Sequence, residues 1–159
     1  LVASAYTIGK VEIKSDGTPW RPVVHIQDVS QAFLAGLEAP AELVNGQSFN
    51  VGIPDGNFTV RQLAEAAGRA VSGSTVVFTG EHGPDARTYR VSFNKILTVL
   101  GDYYKPKWTL ERGGRELVDF FREHNFTEEQ FHGRTTNRLK QINHLIETGQ
   151  IDKNLRWLK

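Results

Sequence analysis

Three arginines stand where a guanidinium could do recognition chemistry: Arg21 between Trp20 and Pro22, and Arg87 and Arg90 flanking Thr88-Tyr89. A planar guanidinium donates two parallel charge-assisted hydrogen bonds to a phosphate, or lies flat on an aromatic ring. Read alone, Arg21 is a surface or stacking residue and Arg87 a solvated loop residue. His25 sits in the β-prone run Val23-Val24-His25-Ile26, where a packed histidine with a backbone partner is expected. Asp28 stands at the start of a helix and reads as its N-cap rather than as a catalytic acid. His82, His124, His132 and His144 lack metal-ligand spacing, and the chain has no cysteine, so no metal site is supported. Tyr103 and Lys107 have the spacing that, on a helix, lets a lysine lower a tyrosine's pKa for proton transfer. Pro106 lies between them and would break that helix, so the pair is accidental.

The elements that must carry these residues follow from patterning and caps. Leu1 to Ile8 reads as the end of a helix closed by Gly9. Val11 and Ile13 alternate with Glu12 and Lys14, which predicts a short strand with one wet face. Ser15 to Pro19 is a turn, and Val23, Val24 and Ile26 form a short β-prone run. A helix is predicted from Asp28 to Glu38, burying Val29, Ala32, Phe33 and Leu37. Ser48–Val51 is a predicted strand; Thr59 caps a helix with Leu63, Ala64 and Ala67 inward; Thr75–Phe78 returns as a strand. Residues 79–86 are polar and read as an exposed loop, with a short extended piece at Tyr89–Val91. Ser92 is expected to cap a helix carrying Ile96, Leu97 and Leu100, and Thr109 one carrying Leu117, Val118, Phe120 and Phe121.

From Phe126 the pattern turns polar, with one predicted helix at Asn137–Thr148 ended by Gly149. The expected division is therefore a lobe over 1–125 and a helical extension over 126–159. The alternation of short strands and helices makes the lobe α/β, more a small lobe than a full doubly wound sheet.

With 159 residues, 39% of them hydrophobic, the chain suffices for one core. A net charge of +1 gives no global pull toward nucleic acid or membrane. The lack of cysteine fits a reducing, cytoplasmic setting. A chain that begins at Leu1 and contains no Met is expected to be a fragment of a longer protein.

Four segments in order then resemble one family. They are Gly9–Ile13 with Asp16-Gly17-Thr18-Pro19-Trp20-Arg21 through His25-Ile26-Gln27-Asp28-Val29; Phe49-Asn50-Val51-Gly52; Thr59–Ala64; and Asp85–Ile96 with Leu100-Gly101 and Pro106–Leu110. This order resembles the NAD-dependent nucleotide-sugar epimerases and dehydratases of the extended short-chain dehydrogenase/reductase family. The match covers only the C-terminal substrate-binding part of that Rossmann-type fold. The resemblance implies that Arg21 contacts the substrate diphosphate, that Arg87 is a second contact with Arg90 as its fallback, and that Val11 and Ile13 lie against the base. It also lends His25 a place near the substrate. It implies a nucleotide-sugar partner, an NAD-binding parent protein and a homodimeric assembly.

The family's Gly-rich dinucleotide turn and helical Tyr-x-x-x-Lys pair are absent here, so the chain alone is expected to be inactive. The alternatives are a non-catalytic binding or interaction module of the same fold, and a tail that binds a partner through Arg134, Arg138 and Lys140.

Overall fold

The computed structural model describes residues 1–81 and 88–158. Helix α1 (Val2–Ile8) is closed by Gly9 in the left-handed region and leads into strand β1 (Lys10–Ile13). Strand β2 (Trp20–Pro22) leads to helix α2 (Ile26–Glu38) and the short α3 (Ala41–Val44). Strand β3 (Asn57–Thr59) runs directly into α4 (Val60–Ala70), and β4 (Thr75–Phe78) follows. The helices α5 (Asn94–Val99), α6 (Leu110–Glu123), α7 (Glu128–His132) and α8 (Arg138–Glu147) complete the described chain.

Two small sheets organise this mixed α/β lobe. Strands β1 and β4 pair in parallel, Val11 opposite Val76 and Ile13 opposite Phe78. A parallel pair needs a crossover, and α4 supplies it by packing on β1 and β4. Val11 and Ile13 face inward at 0% and 7% exposure against Ala5, Ala64 and Ala67, while Glu12 faces solvent, the predicted wet side. Strands β2 and β3 pair antiparallel, with Arg21 opposite Phe58. Helix α6 packs on α1 and α4, and α7 packs on α1.

Several expected elements come out differently. The β-prone run at Val23–Ile26 is not a strand: the strand is Trp20–Pro22, which pairs with β3, and Ile26 already begins α2. Ser48–Val51 is likewise not a strand; its place is taken by Asn57–Thr59, which the sequence pattern did not reveal. The cap of α2 is His25, whose Nδ1 accepts the Gln27 N–H; Asp28 lies inside the first turn. The helix start at Asn94 has Phe93, not Ser92, at the cap position. Helix α7 escaped notice although Thr127 and Gln130 form a capping box around it.

The inward face of α2 is only partly the one expected: Ala32 is buried and Val29 half-buried as expected, but Phe33 and Leu37 are not. Ala32, Ala35 and Ala39 are buried, whereas Phe33 and Leu37 are 72% and 83% exposed. The small alanine stripe lets α2 approach Phe93, Ile96, Leu100 and Tyr104 closely, and those larger side chains fill the volume. Helix period was legible, but residue size misled the choice of face.

Tyr104 is 1% exposed in this core and donates its hydroxyl to the Gly52 carbonyl at 3.0 Å. Burial, with the Asp28 carboxylate adding to it, pushes its pKa up from 10.0 to about 12. The folded form therefore resists ionisation that the unfolded chain accepts. Stability from this group is complete below pH 10 and is lost as the pH rises from 10 to 12. The loss expected is on the order of 2 kcal/mol. Urea titrations at pH 8 and pH 11.5 measure it, and Tyr104→Phe should flatten the alkaline decline that the wild type shows.

Candidate functional site

The site begins at the Ser15–Pro19 turn. The Asp16 carboxylate accepts from the Thr18 N–H at 2.9 Å and from its hydroxyl at 2.7 Å, and these bonds hold its pKa below the usual range. Gly17 has φ 84 and sits where an added Cβ would lie 2.7 Å from the Phe78 ring, so a side chain is excluded on two counts. The turn is fastened to the start of α4. Val60 N–H donates to the Pro19 carbonyl, Arg61 N–H to the Gly17 carbonyl, and Gln62 N–H to the Thr59 hydroxyl. With the Thr59 N–H donating to Gln62 Oε1, all four N–H groups that a helix start leaves open have acceptors. The Arg61 guanidinium, 3.9 Å from the Phe78 ring, donates to the Asp16 carbonyl and closes the clamp from the other side.

This clamp delivers Arg21 on β2, half-buried, with Nη1 donating to the Trp20 carbonyl at 2.7 Å and its guanidinium carbon 5.9 Å from the centre of the Tyr89 ring. Arg90 lies 4.4 Å from the Trp20 ring. Successive residues of a strand point to opposite faces. Trp20, with Arg90 on it, and Arg21, beside Tyr89, therefore flank β2 from its two sides. Arg90 lines a cavity of about 430 Å³ with Trp20, Asn57, Phe58 and Gln62 that does not include Arg21. Arg87 lies outside the described residues.

The 88–91 segment is held on β2 and β3 by side chains. The Trp20 N–H donates to the Thr88 hydroxyl at 3.0 Å. The Asn57 amide donates to the Val91 carbonyl at 2.9 Å and accepts the Val91 N–H at 2.8 Å. Neither contact was anticipated; a lone Asn before Phe58-Thr59 carries no local signal of a partner 34 residues away.

His25 is built into a stack. Its ring lies 3.7 Å from that of Trp108 at 9°. Arg112 sits 4.0 Å from the same ring, which leaves it the opposite face. With Nδ1 accepting from Gln27, the neutral ring carries its proton on Nε2, 2.6 Å from Glu116 Oε2. Both nitrogens are engaged, so His25 reaches a ligand through a nitrogen only by giving up one of these bonds. The expected backbone partner is real, but the Trp108 and Glu116 contacts were not foreseen. His25 and Trp108 border an apolar cavity of about 590 Å³ with Val24, Leu63, Ala66 and Leu117.

Val11 and Ile13 direct their side chains into the core, so any contact these two residues make with a ligand is through their backbone. Tyr103 and Lys107 do not share a helix, since the chain from 104 to 109 is irregular. The strand-to-helix junctions at His25 and Thr59 carry no Gly-rich turn. Among the described residues no cluster of three or more His, Asp or Glu could hold a metal, and no helix is long and apolar enough to cross a membrane.

Residues 1–52 match the profile of the NAD dependent epimerase/dehydratase family. Over 70 residues the chain is 39% identical to UDP-D-apiose/UDP-D-xylose synthase 2 of Arabidopsis thaliana, a stretch covering 42% of this chain and 18% of that protein. The fold is similar to UDP-glucuronic acid 4-epimerase from Bacillus cereus, solved with UDP-glucuronic acid and NAD (TM-score 0.61, 19% identity, 78% of this chain and 38% of that one). It is also similar to UDP-glucose 4-epimerase from Thermotoga maritima, solved with UDP-glucose (TM-score 0.60, 26% identity, the same coverage). The chain is thus related to the NAD-dependent nucleotide-sugar epimerases and dehydratases, and has the mixed α/β fold of the corresponding part of these Rossmann-type proteins. It spans well under half the length of these relatives.

Proposed function

We propose that this chain forms the nucleotide-sugar diphosphate-binding part of an NAD-dependent epimerase/dehydratase, with Arg21 as the principal phosphate contact. One observation carries the reading: the whole Asp16-to-Asp28 segment lies within the 52 residues that match the family, and Arg21 stands on a strand whose entry turn is fastened to α4. A UDP-sugar is the favoured substrate class, because the two epimerases named above, from Bacillus cereus and Thermotoga maritima, were each solved with one.

In this reading a diphosphate of about two negative charges meets a guanidinium whose planar fork matches its oxygens. Arg87 is a second candidate contact. Arg90 is a weaker one, standing on the Trp20 side of β2. The NAD and the proton-transfer pair belong to the whole protein, which oxidises a sugar carbon transiently, and the chain alone performs no hydride transfer. A cytoplasmic homodimer is the expected form of that protein, and residues 126–159 form its extension.

The test is calorimetric titration of the full-length protein with UDP. Arg21→Ala is expected to weaken binding by about 2–3 kcal/mol, the order of a lost charge-assisted pair. An unchanged dissociation constant removes Arg21 from the site and the reading with it.

A further inference from the structure

The Arg90 guanidinium rests over the Trp20 ring, 4.4 Å from its centre. A ring contact holds a cation in place without supplying acceptors for its five N–H donors. Among the described residues no carboxylate or carbonyl takes any of them. Arg90 opens on the cavity of about 430 Å³ on the Trp20 side of β2, whose lining includes Asp55 and Asn94 and the apolar side chains of Phe93 and Leu97. The Asp55 carboxylate and the Asn94 carboxamide have no hydrogen-bond or ion-pair partner among the described residues. Arg90 and Asp55 thus share one cavity without pairing with each other.

We propose that this cavity binds a small hydroxylated anion of the sugar-phosphate type, with its anionic group on Arg90 and its hydroxyl groups on Asp55 and Asn94. A guanidinium already held on a ring presents its planar fork to phosphate or carboxylate, which take two parallel bonds from it. A carboxylate only accepts, so Asp55 calls for donors on the ligand and repels a bare anion. An anion that carries hydroxyl groups satisfies both charges at once, and its carbon skeleton meets the apolar wall. The volume lies within the range of about 300–1,000 Å³ typical of small-molecule sites. The cavity does not include Arg21, so this assignment goes beyond the diphosphate reading and does not depend on it.

The experiment titrates glucose 6-phosphate into the full-length protein by calorimetry, with and without saturating UDP, and follows the Trp20 indole N–H resonance. Inorganic phosphate and glucose are the comparison ligands. Glucose 6-phosphate should bind saturably and shift the Trp20 resonance, inorganic phosphate should bind more weakly, and glucose should not bind. UDP should leave the glucose 6-phosphate constant unmoved. Arg90→Gln should raise that constant roughly 10- to 100-fold, the order of a lost charge-assisted contact. Arg90→Lys keeps the charge and loses the fork, and should fall between.

Asp55→Asn separates the two halves of the ligand. Asp55 has φ 53, a left-handed conformation that asparagine tolerates as well as aspartate, so the loop keeps its shape. This variant should weaken glucose 6-phosphate roughly 2- to 10-fold, the order of a lost hydrogen bond. It should bind inorganic phosphate more tightly, because a repelling charge is gone. A lack of saturable binding overturns the proposal, as do a Trp20 resonance that stays still, binding that survives Arg90→Gln, and displacement by UDP. If Asp55→Asn tightens both ligands, the carboxylate only repels and the cavity does not select hydroxyl groups.

Discussion

Asp28→Ala is expected to cost about 3–5 kcal/mol of stability, from the loss of two hydrogen bonds to a charged acceptor, each worth roughly 1.5–3 kcal/mol. Asp28 is 3% exposed, the one buried charged side chain among the described residues. Its two oxygens accept the N–H groups of Lys107 at 2.9 Å and Trp108 at 3.1 Å. The carboxylate thus ties the first turn of α2 to the irregular stretch before α6. That stretch presents Trp108 to His25, so the tie and the stack are one assembly. Asp28→Asn keeps one acceptor but turns an NH2 toward the second N–H, and should cost about 2 kcal/mol. Urea denaturation gives the energies, and Trp fluorescence should shift as the His25–Trp108 stack loosens in Asp28→Ala. A loss under about 1 kcal/mol in the alanine variant would mean that the two N–H groups find water instead, and that the tie is dispensable.

How far the sequence disclosed this molecule depended on the range of the interaction concerned. Caps act within four residues, and so the helices opened by Thr59 and Thr109 were legible and begin where the structure begins them, while the helix after Asn137 was legible from its apolar period and Gly149. The β1 strand and its wet face were legible for the same reason, since alternation is local. Asp28 misled because a carboxylate at a helix start has two plausible sets of donors. The local Gln27 N–H was already served by His25, and the set that won lies 79 and 80 residues away. Strand β3 was missed because three residues show no period, and only their pairing with β2 makes them a strand. On α2, bulk pointed to Phe33 and Leu37, yet close packing selected the alanines. Arg21 was singled out by family resemblance, since nothing in Trp-Arg-Pro separates a phosphate ligand from a surface cation. The Tyr89 contact and the Asn57 grip could not be read at all, because both join segments distant in the chain.

Gly52→Ala should be at least as damaging as a buried cavity, at about 3 kcal/mol or more, although it adds a single carbon. A Cβ at this position would stand 2.4 Å from two atoms of the Phe93 ring, far inside van der Waals contact. Phe93 is 7% exposed and belongs to the core formed with Ala32, Ala35, Ile96, Leu100 and Tyr104, so its ring has little room to withdraw. The Gly52 carbonyl meanwhile accepts the Tyr104 hydroxyl, and a backbone shift that relieved the ring would stretch that bond. Gly52 closes the Phe49-Asn50-Val51-Gly52 segment, and the contact supplies a physical reason for a glycine at the end of it: a ring must lie on the bare Cα. The cause is separable from any backbone effect by a second substitution. Phe93→Leu alone should cost about 1 kcal/mol, as shape changes in a core do. Combined with Gly52→Ala, it should restore much of what the glycine change removed, because the smaller side chain vacates the space the new methyl needs. Thermal or urea unfolding of the four proteins gives the coupling energy. If the two losses simply add, the Phe93 ring is not what excludes a side chain from position 52.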